Sequence, residues 1–229
     1  MRKQPPLTAL IPAAGRGERF GSEQNKVLSE LLGRPILGWT LEAFAQCDEI
    51  GRIVLVGSES DTDVLWALGD QYGGGKLQAV VLGGSTRQES VRRGLDAVGT
   101  EFVLIHDAAR CCITPALLTE AAGLTRIHQA MTLVRPVTDT LMRRSGELVD
   151  RSALVAVETP QGFQTELLRR AHLAARSEGF VATDDASLLR RIGRTVHLME
   201  STLPNPKLTY PQDAFVAAAL LRERGVVPD

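Results

Sequence analysis

The chain has 229 residues, 44% of them hydrophobic and 23% charged, with a formal net charge of −1. That is enough apolar material for one domain whose sheet is covered on both faces. The near-neutral balance leaves no basic field of the kind that gathers nucleic acid, so any polyanion has to be met by local charge. No stretch approaches the roughly 18 apolar residues of a membrane span, and the basic opening MRKQPPL is not followed by an apolar signal core. Cys47, Cys111 and Cys112 lack the C-x-x-C spacing of metal or redox sites, which points to a reducing, cytoplasmic setting.

Short Val/Ile/Leu-rich runs alternate with segments of helical period. The predicted strands are 7–11, 52–56, 77–82, 101–106, 130–137, 154–159 and 195–200. Between and after them, helices are predicted at 35–46, 61–70, 86–97, 115–126, 165–177, 184–192 and 211–224. Such alternation predicts a single α/β domain over residues 1–229, a Rossmann-like doubly wound and mostly parallel sheet with helices on both faces. The segment 138–155 breaks the rhythm. It carries Ser145-Gly146 between two short alternating runs and reads as an inserted β-hairpin, either a plain surface hairpin or an arm that docks on a second subunit.

In sheets of this kind, ligands sit where loops leave the carboxyl ends of strands. After the first strand comes PAAGRGERFGSEQNK. A dinucleotide fingerprint needs a small residue where Phe20 stands, and a GxxxxGK[ST] phosphate loop needs Ser or Thr where Val27 follows Lys26. What remains is small residues at Ala13, Ala14, Gly15 and Gly17, which let the backbone approach a ligand, and two cations, Arg19 and Lys26, on the same rim. That pattern suits phosphates, or else a tight glycine turn with solvated charges. The chain holds only four lysines against 22 arginines, which links Lys26 with Lys207 in NPKLTYPQD.

After the third predicted strand, GGSTRQESV places Thr86 and Glu89 in capping-box spacing behind Gly83-Gly84. A helix N-terminus there can offer amides to a base or an anion, with Ser90 and Arg87 beside it. After the fourth, HDAARCC sets Asp107 at the strand end, the position of a carboxylate that meets a metal or a substrate hydroxyl, with Arg110 three residues on. His106 points to the opposite face and is assigned a structural role. Thr114-Pro115 then opens a helix with a cap and an N1 proline.

Taken in series, PAAGRGERF with Lys26, GGSTRQESV, HDAAR, PVTDT, VDR, TPQGF, TDDAS and PKLT resemble the 2-C-methyl-D-erythritol 4-phosphate cytidylyltransferases, from Ile11 to about Asp213. The resemblance implies transfer of CMP from CTP to the phosphate of a sugar alcohol, with Mg²⁺ or another divalent cation, releasing pyrophosphate in non-mevalonate isoprenoid synthesis. It implies that Arg19 and Lys26 stabilise the triphosphate in the transition state, and that Arg151 and Lys207 position the attacking phosphate. By the same likeness Ala13, Ala14, Gly15, Gly84, Ser85 and Ser90 surround the nucleotide, and Gly17 is counted with them for its place in the loop. Asp107, Arg110, Thr140 and Thr183 match positions around the sugar phosphate, with Asp107 also a candidate metal ligand. The resemblance further implies a homodimer in which the hairpin brings Thr140 and Arg151 to the partner's site.

Three positions depart from the family pattern: Asn25 and Cys111 stand where proline is usual, and Ser85 where an acidic residue is common. The related ribitol-5-phosphate cytidylyltransferases share similar loops but commonly carry Val where Ala109 stands. A catalytically silent nucleotide-binding protein of the same fold has no need of Arg19, Lys26, Asp107, Arg151 and Lys207 together. The chemistry itself asks for no general base, because a phosphate monoester with a second pKa of about 6 is already largely ionised at neutral pH. It asks for two polyanions held in line with their growing charge neutralised.

Overall fold

The computed structural model describes residues 5–15, 25–201 and 203–225. In chain order the elements are β1 (Leu7–Pro12), β2 (Glu30–Leu31), β3 (Arg34–Pro35), α1 (Ile36–Ala45), β4 (Ile50–Gly57), α2 (Thr62–Tyr72), β5 (Leu77–Leu82), α3 (Arg87–Leu95) and β6 (Phe102–Ile105). There follow α4 (Pro115–His128), β7 (Ala130–Pro136), β8 (Leu141–Met142), β9 (Leu148–Val149), β10 (Val155–Gln164), α5 (Thr165–Ser177), α6 (Asp185–Arg191), β11 (His197–Glu200) and α7 (Asp213–Glu223).

Successive residues of a strand point to opposite faces, and here both faces are apolar. On β1, Leu7, Ala9 and Ile11 enter one core with α1, α2, α4 and α7, while Leu10 enters the other with α3, α5 and α6. The continuous hydrophobic runs thus reflect a sheet buried on both sides. The central sheet has the order β11-β7-β10-β6-β1-β4-β5. The pairs β1–β4, β4–β5, β1–β6 and β7–β11 are parallel, and only β10 runs antiparallel to its neighbours β6 and β7. Consequently the carboxyl ends of β1, β4, β5 and β6 lie along one edge, and their loops face one another.

The strand predicted at 154–159 instead runs from Val155 to Gln164. Thr159-Pro160-Gln161-Gly162 has little intrinsic strand preference, and two flanking partners override that weakness. Pro160 falls where the pairing with β7 breaks register, so no ladder bond is asked of it. Gly162 has no alternative, because a Cβ there would lie 1.8 Å from Thr125 Oγ1 on α4. The last helix starts at Asp213 rather than at residue 211, because the Asp213 carboxylate accepts from the amides of Thr209 and Tyr210. The inserted hairpin is present as β8 and β9, closed by Gly146 at φ +92°.

Phe163 on β10 is fully buried between β6, β7 and the α5 face. Phe163→Ala is expected to cost about 3–5 kcal/mol through lost burial and a residual cavity, measured as a lower urea midpoint at unchanged slope.

Candidate active site

Asp107 stands two residues beyond the end of β6 and is 8% exposed. Its amide donates to Thr159 Oγ1 at 3.0 Å. Three cations surround its carboxylate: Arg87 Nε at 3.1 Å from Oδ1, Lys207 Nζ at 2.9 Å from Oδ2, and Arg110 Nε at 3.7 Å from Oδ2. Burial alone raises a carboxyl pKa, but Arg87, Lys207 and Arg110 outweigh it and hold Asp107 well below the ordinary carboxylate range. Arg87 reaches Asp185 as well, donating from Nη1 to Oδ2 at 2.7 Å. Asp185, at the start of α6 and 1% exposed, is thereby kept ionised against the burial that opposes it.

Arg110 donates to the Asn205 carbonyl at 2.7 Å and lies 3.7 Å from Glu158, which Arg135 also pairs at 2.9 Å. Burial pushes the Glu158 pKa up against those two guanidinium groups. Beneath them Gln161, fully buried, donates to Thr132 and Asp184 and accepts from the amides of Asp185 and Ala186, so that it caps the α6 N-terminus from below. Asp107, Arg110, Thr183, Arg190 and Lys207 face a common cavity of about 310 Å³.

Beside this cavity, the loops after β1 and β5 meet. A Cβ on Gly83 would lie 2.8 Å from Ala14 Cβ and 2.9 Å from Ser90 Oγ, so glycine is needed for the approach. Ser90 Oγ accepts from the Gly84 amide at 3.1 Å. Thr86 caps α3 by accepting from the Glu89 amide, but the Glu89 carboxylate turns to Arg92 and Arg93, so only half of the expected capping box forms. Lys26 extends to the Leu208 carbonyl at 2.7 Å, the residue after Lys207.

The chain matches the IspD family, 2-C-methyl-D-erythritol 4-phosphate cytidylyltransferase, over residues 7–223. It belongs to that family. A curated protein from Synechococcus sp. strain CC9902, named 2-C-methyl-D-erythritol 4-phosphate cytidylyltransferase, is 43% identical across 94% of this chain and 97% of its own length. One of the same name from Prochlorococcus marinus strain MIT 9313 is 41% identical, covering 94% and 98%. Among solved structures, the enzyme of that name from Thermus thermophilus is 34% identical with a TM-score of 0.79, covering 95% of this chain and 99% of that one.

Of the residues expected from the sequence of this IspD member, Ala13, Ala14, Gly15, Gly84 and Ser85 lie on the two adjoining loops and Ser90 in the first turn of α3 beside them, while Asp107, Arg110, Thr183 and Lys207 line the cavity. Gly17 and Arg19 lie outside the described residues. Thr140 and Arg151 sit on the exposed hairpin segment, away from the cavity of their own chain, where Arg151 donates to the Thr138 carbonyl. Sequence reasoning placed Arg87 with the nucleotide amides, whereas its guanidinium points to Asp107 and Asp185. It assigned nothing to Glu158, Gln161 or Asp185; TPQGF and TDDAS carried two of them as motif letters without a role.

His106 is fully buried, its ring nitrogens 3.1 Å from the Arg110 carbonyl and 3.2 Å from Thr159 Oγ1. Burial lowers its pKa to about 4 from 6.5, so it is structural, as its strand position implied. Because the unfolded chain takes up the proton first, the stability this neutral ring contributes is complete above pH 6.5 and is lost as pH falls toward 4. Urea titrations between pH 7 and 4 are expected to lose about 3 kcal/mol from this group, a slope that His106→Gln flattens. The Asp107 and Asp185 contributions fail only at lower pH, since their folded pKa values are depressed.

Proposed function

We infer that this site transfers a cytidylyl group from CTP to 2-C-methyl-D-erythritol 4-phosphate, releasing pyrophosphate. The observation that carries the reading is the convergence of Arg110, Lys207 and Arg87 on Asp107 in one cavity whose described lining holds no histidine. Four cations border that cavity, Arg87, Arg110, Arg190 and Lys207, against the carboxylates of Asp107, Glu158 and Asp184. Such a lining suits a hydroxyl-bearing phosphate: carboxylates for the hydroxyls, cations for the phosphate. The two glycine-rich loops next to it leave room for the nucleotide, and Lys26, with Arg19, meets the triphosphate.

In this reading the ionised phosphate of the sugar alcohol attacks the α-phosphorus of CTP in line. Lys207 shifts from Asp107 to the attacking phosphate, exchanging one anionic partner for another. Lys26 offsets the charge that grows on the leaving pyrophosphate. The described residues contain no group of three His, Cys, Asp or Glu side chains able to hold a metal. Magnesium is commonly bound through one carboxylate plus substrate phosphates, and Asp107 is the residue that would supply that carboxylate. Mg²⁺ held there with the nucleotide phosphates would neutralise part of the triphosphate charge.

The cavity's cations are largely matched by carboxylates, which leaves the incoming phosphate short of positive charge. Arg151 answers that need if it arrives from a second copy. The hairpin segment exposes Met142 and Leu148 at 62% and 65%, together with Leu154 and Val155, apolar side chains suited to a subunit contact. The reading is therefore a homodimer with arms exchanged between sites. No described helix is long and apolar enough to cross a membrane, and the three cysteines are free and buried, in keeping with a cytoplasmic enzyme.

With CTP, Mg²⁺ and methylerythritol phosphate, the protein is expected to release pyrophosphate, and Lys207→Ala to lose about 10²–10³ in kcat. Release with ribitol 5-phosphate alone would overturn the choice of acceptor. For the arm, Lys26→Ala and Arg151→Ala homodimers are each expected to be nearly inactive, whereas subunit exchange between them regenerates one site with both cations. No recovery after exchange proven by mass-tagged heterodimers means the site is built within one chain.

A further inference from the structure

Lys26 stands at the start of a single 3₁₀ turn, Lys26–Leu28, too short to hold itself in place. What fixes it is the residue before it. Asn25 is buried, and its side-chain amide is engaged on both ends. Its Nδ2 donates to the Ala13 carbonyl at 2.5 Å and to Asp61 Oδ2 at 3.0 Å, while its Oδ1 accepts from the Val27 amide at 3.4 Å. Its main-chain carbonyl accepts from the Leu28 amide at 2.9 Å. Ala13 is itself anchored, its amide donating to the Val56 carbonyl at the end of β4. Asp61 closes the turn Glu59–Asp61 that follows β4. One side chain thus ties the Lys26 turn to the ends of both β1 and β4, the rigid floor of the nucleotide loops.

We propose that Asn25 is a positioning residue for Lys26, its carboxamide clamping the turn so that the Lys26 ammonium is held across the site toward the 207–208 segment. The inference rests on the reading of Lys26 as a cation of the transition state. A lysine ammonium on a four-carbon stem is a mobile point charge, so its effect on the barrier depends on how firmly its backbone is held. The Asn25 backbone has φ −58° and ψ 116°. That φ is within reach of a proline ring, which fixes φ near −65°. Proline can therefore replace the hydrogen-bonded restraint by a covalent one, whereas alanine replaces it by nothing and leaves the buried Ala13 carbonyl without its amide donor.

The test uses the full-length protein with CTP, Mg²⁺ and methylerythritol phosphate, following pyrophosphate release and the thermal midpoint of Asn25→Ala, Asn25→Pro, Lys26→Ala and the double variant Asn25→Ala/Lys26→Ala. Asn25→Ala is expected to lower kcat about tenfold, less than the roughly 10²-fold that a 1 Å misplacement costs. Its KM for CTP should stay within about twofold, because a cation that acts in the transition state shows in kcat. Asn25→Pro should recover most of that loss, and in the Lys26→Ala background the Asn25 change should add almost nothing. If Asn25→Ala folds poorly, Asp61→Ala removes only the outer acceptor and should lower kcat two- to threefold with the same dependence on Lys26. A wild-type kcat in Asn25→Ala despite a lowered thermal midpoint, or a loss that adds in full to that of Lys26→Ala, overturns the proposal. A wild-type kcat in Lys26→Ala overturns instead the reading beneath it, and the two failures are told apart by which single variant keeps its rate.

Discussion

The guanidinium of Arg87 bridges two carboxylates, Asp107 and Asp185, and opposes the burial that would otherwise raise the pKa of each. Asp185 is buried at the start of α6 and Asp107 faces the cavity, and Arg87 donates to each. A buried ion with its partner removed is far more costly than the pair is favourable, so the positions of α3, the β6 end and the α6 N-terminus are tied together through one side chain. A planar fork suits this task, because Nε and Nη1 leave the same rigid group in fixed directions. His172, 3.3 Å from the other oxygen of Asp185, closes the network on the α5 side.

Around that frame the charges alternate. Asp107 is shared by Arg87, Lys207 and Arg110; Glu158 is shared by Arg110 and Arg135. Each cation is thus already oriented before a phosphate arrives. A guest that exchanges anionic partners with a preformed donor avoids most of the reorganisation that free side chains would require. The same balance limits how much charge one chain can present to an incoming phosphate.

The strand and helix order was legible because a sheet buried on both faces writes itself as short continuous apolar runs, and each of the seven predicted runs became a strand of the central sheet. Less legible was the far half of β10, where Pro160 and Gly162 are poor strand formers held by two neighbours and by close approach to Thr125. Within the site, Asp107, Arg110 and Lys207 could be found because each follows or precedes a strand-end motif. The Arg87–Asp185 bridge could not: its members are 98 residues apart, and only the crossing of α3 and α6 on one face of the sheet brings them together. Gln161 was hidden for a related reason, since the stretch that carries it reads as motif and loop rather than as strand, and Glu158 sits inside a predicted strand with nothing in its spacing to mark it.

The scarcity of lysine gains a physical meaning from these contacts, though not at every position. Lys76 is structural, donating to the carbonyls of Phe44 and Cys47, so rarity alone does not mark a functional ammonium. Lys26 and Lys207 differ in where they end, one on the Leu208 carbonyl and one on Asp107, beside the same short segment. Arg87 and Arg110 are each held by partners on more than one element. The guanidinium groups therefore form the frame, and the ammonium groups, compact charges on flexible stems, are the ones able to change partners during a reaction. In the proposed reaction, a frame of arginines with lysines that change partners would let the protein hold its shape while the charge it neutralises moves from one phosphate to another.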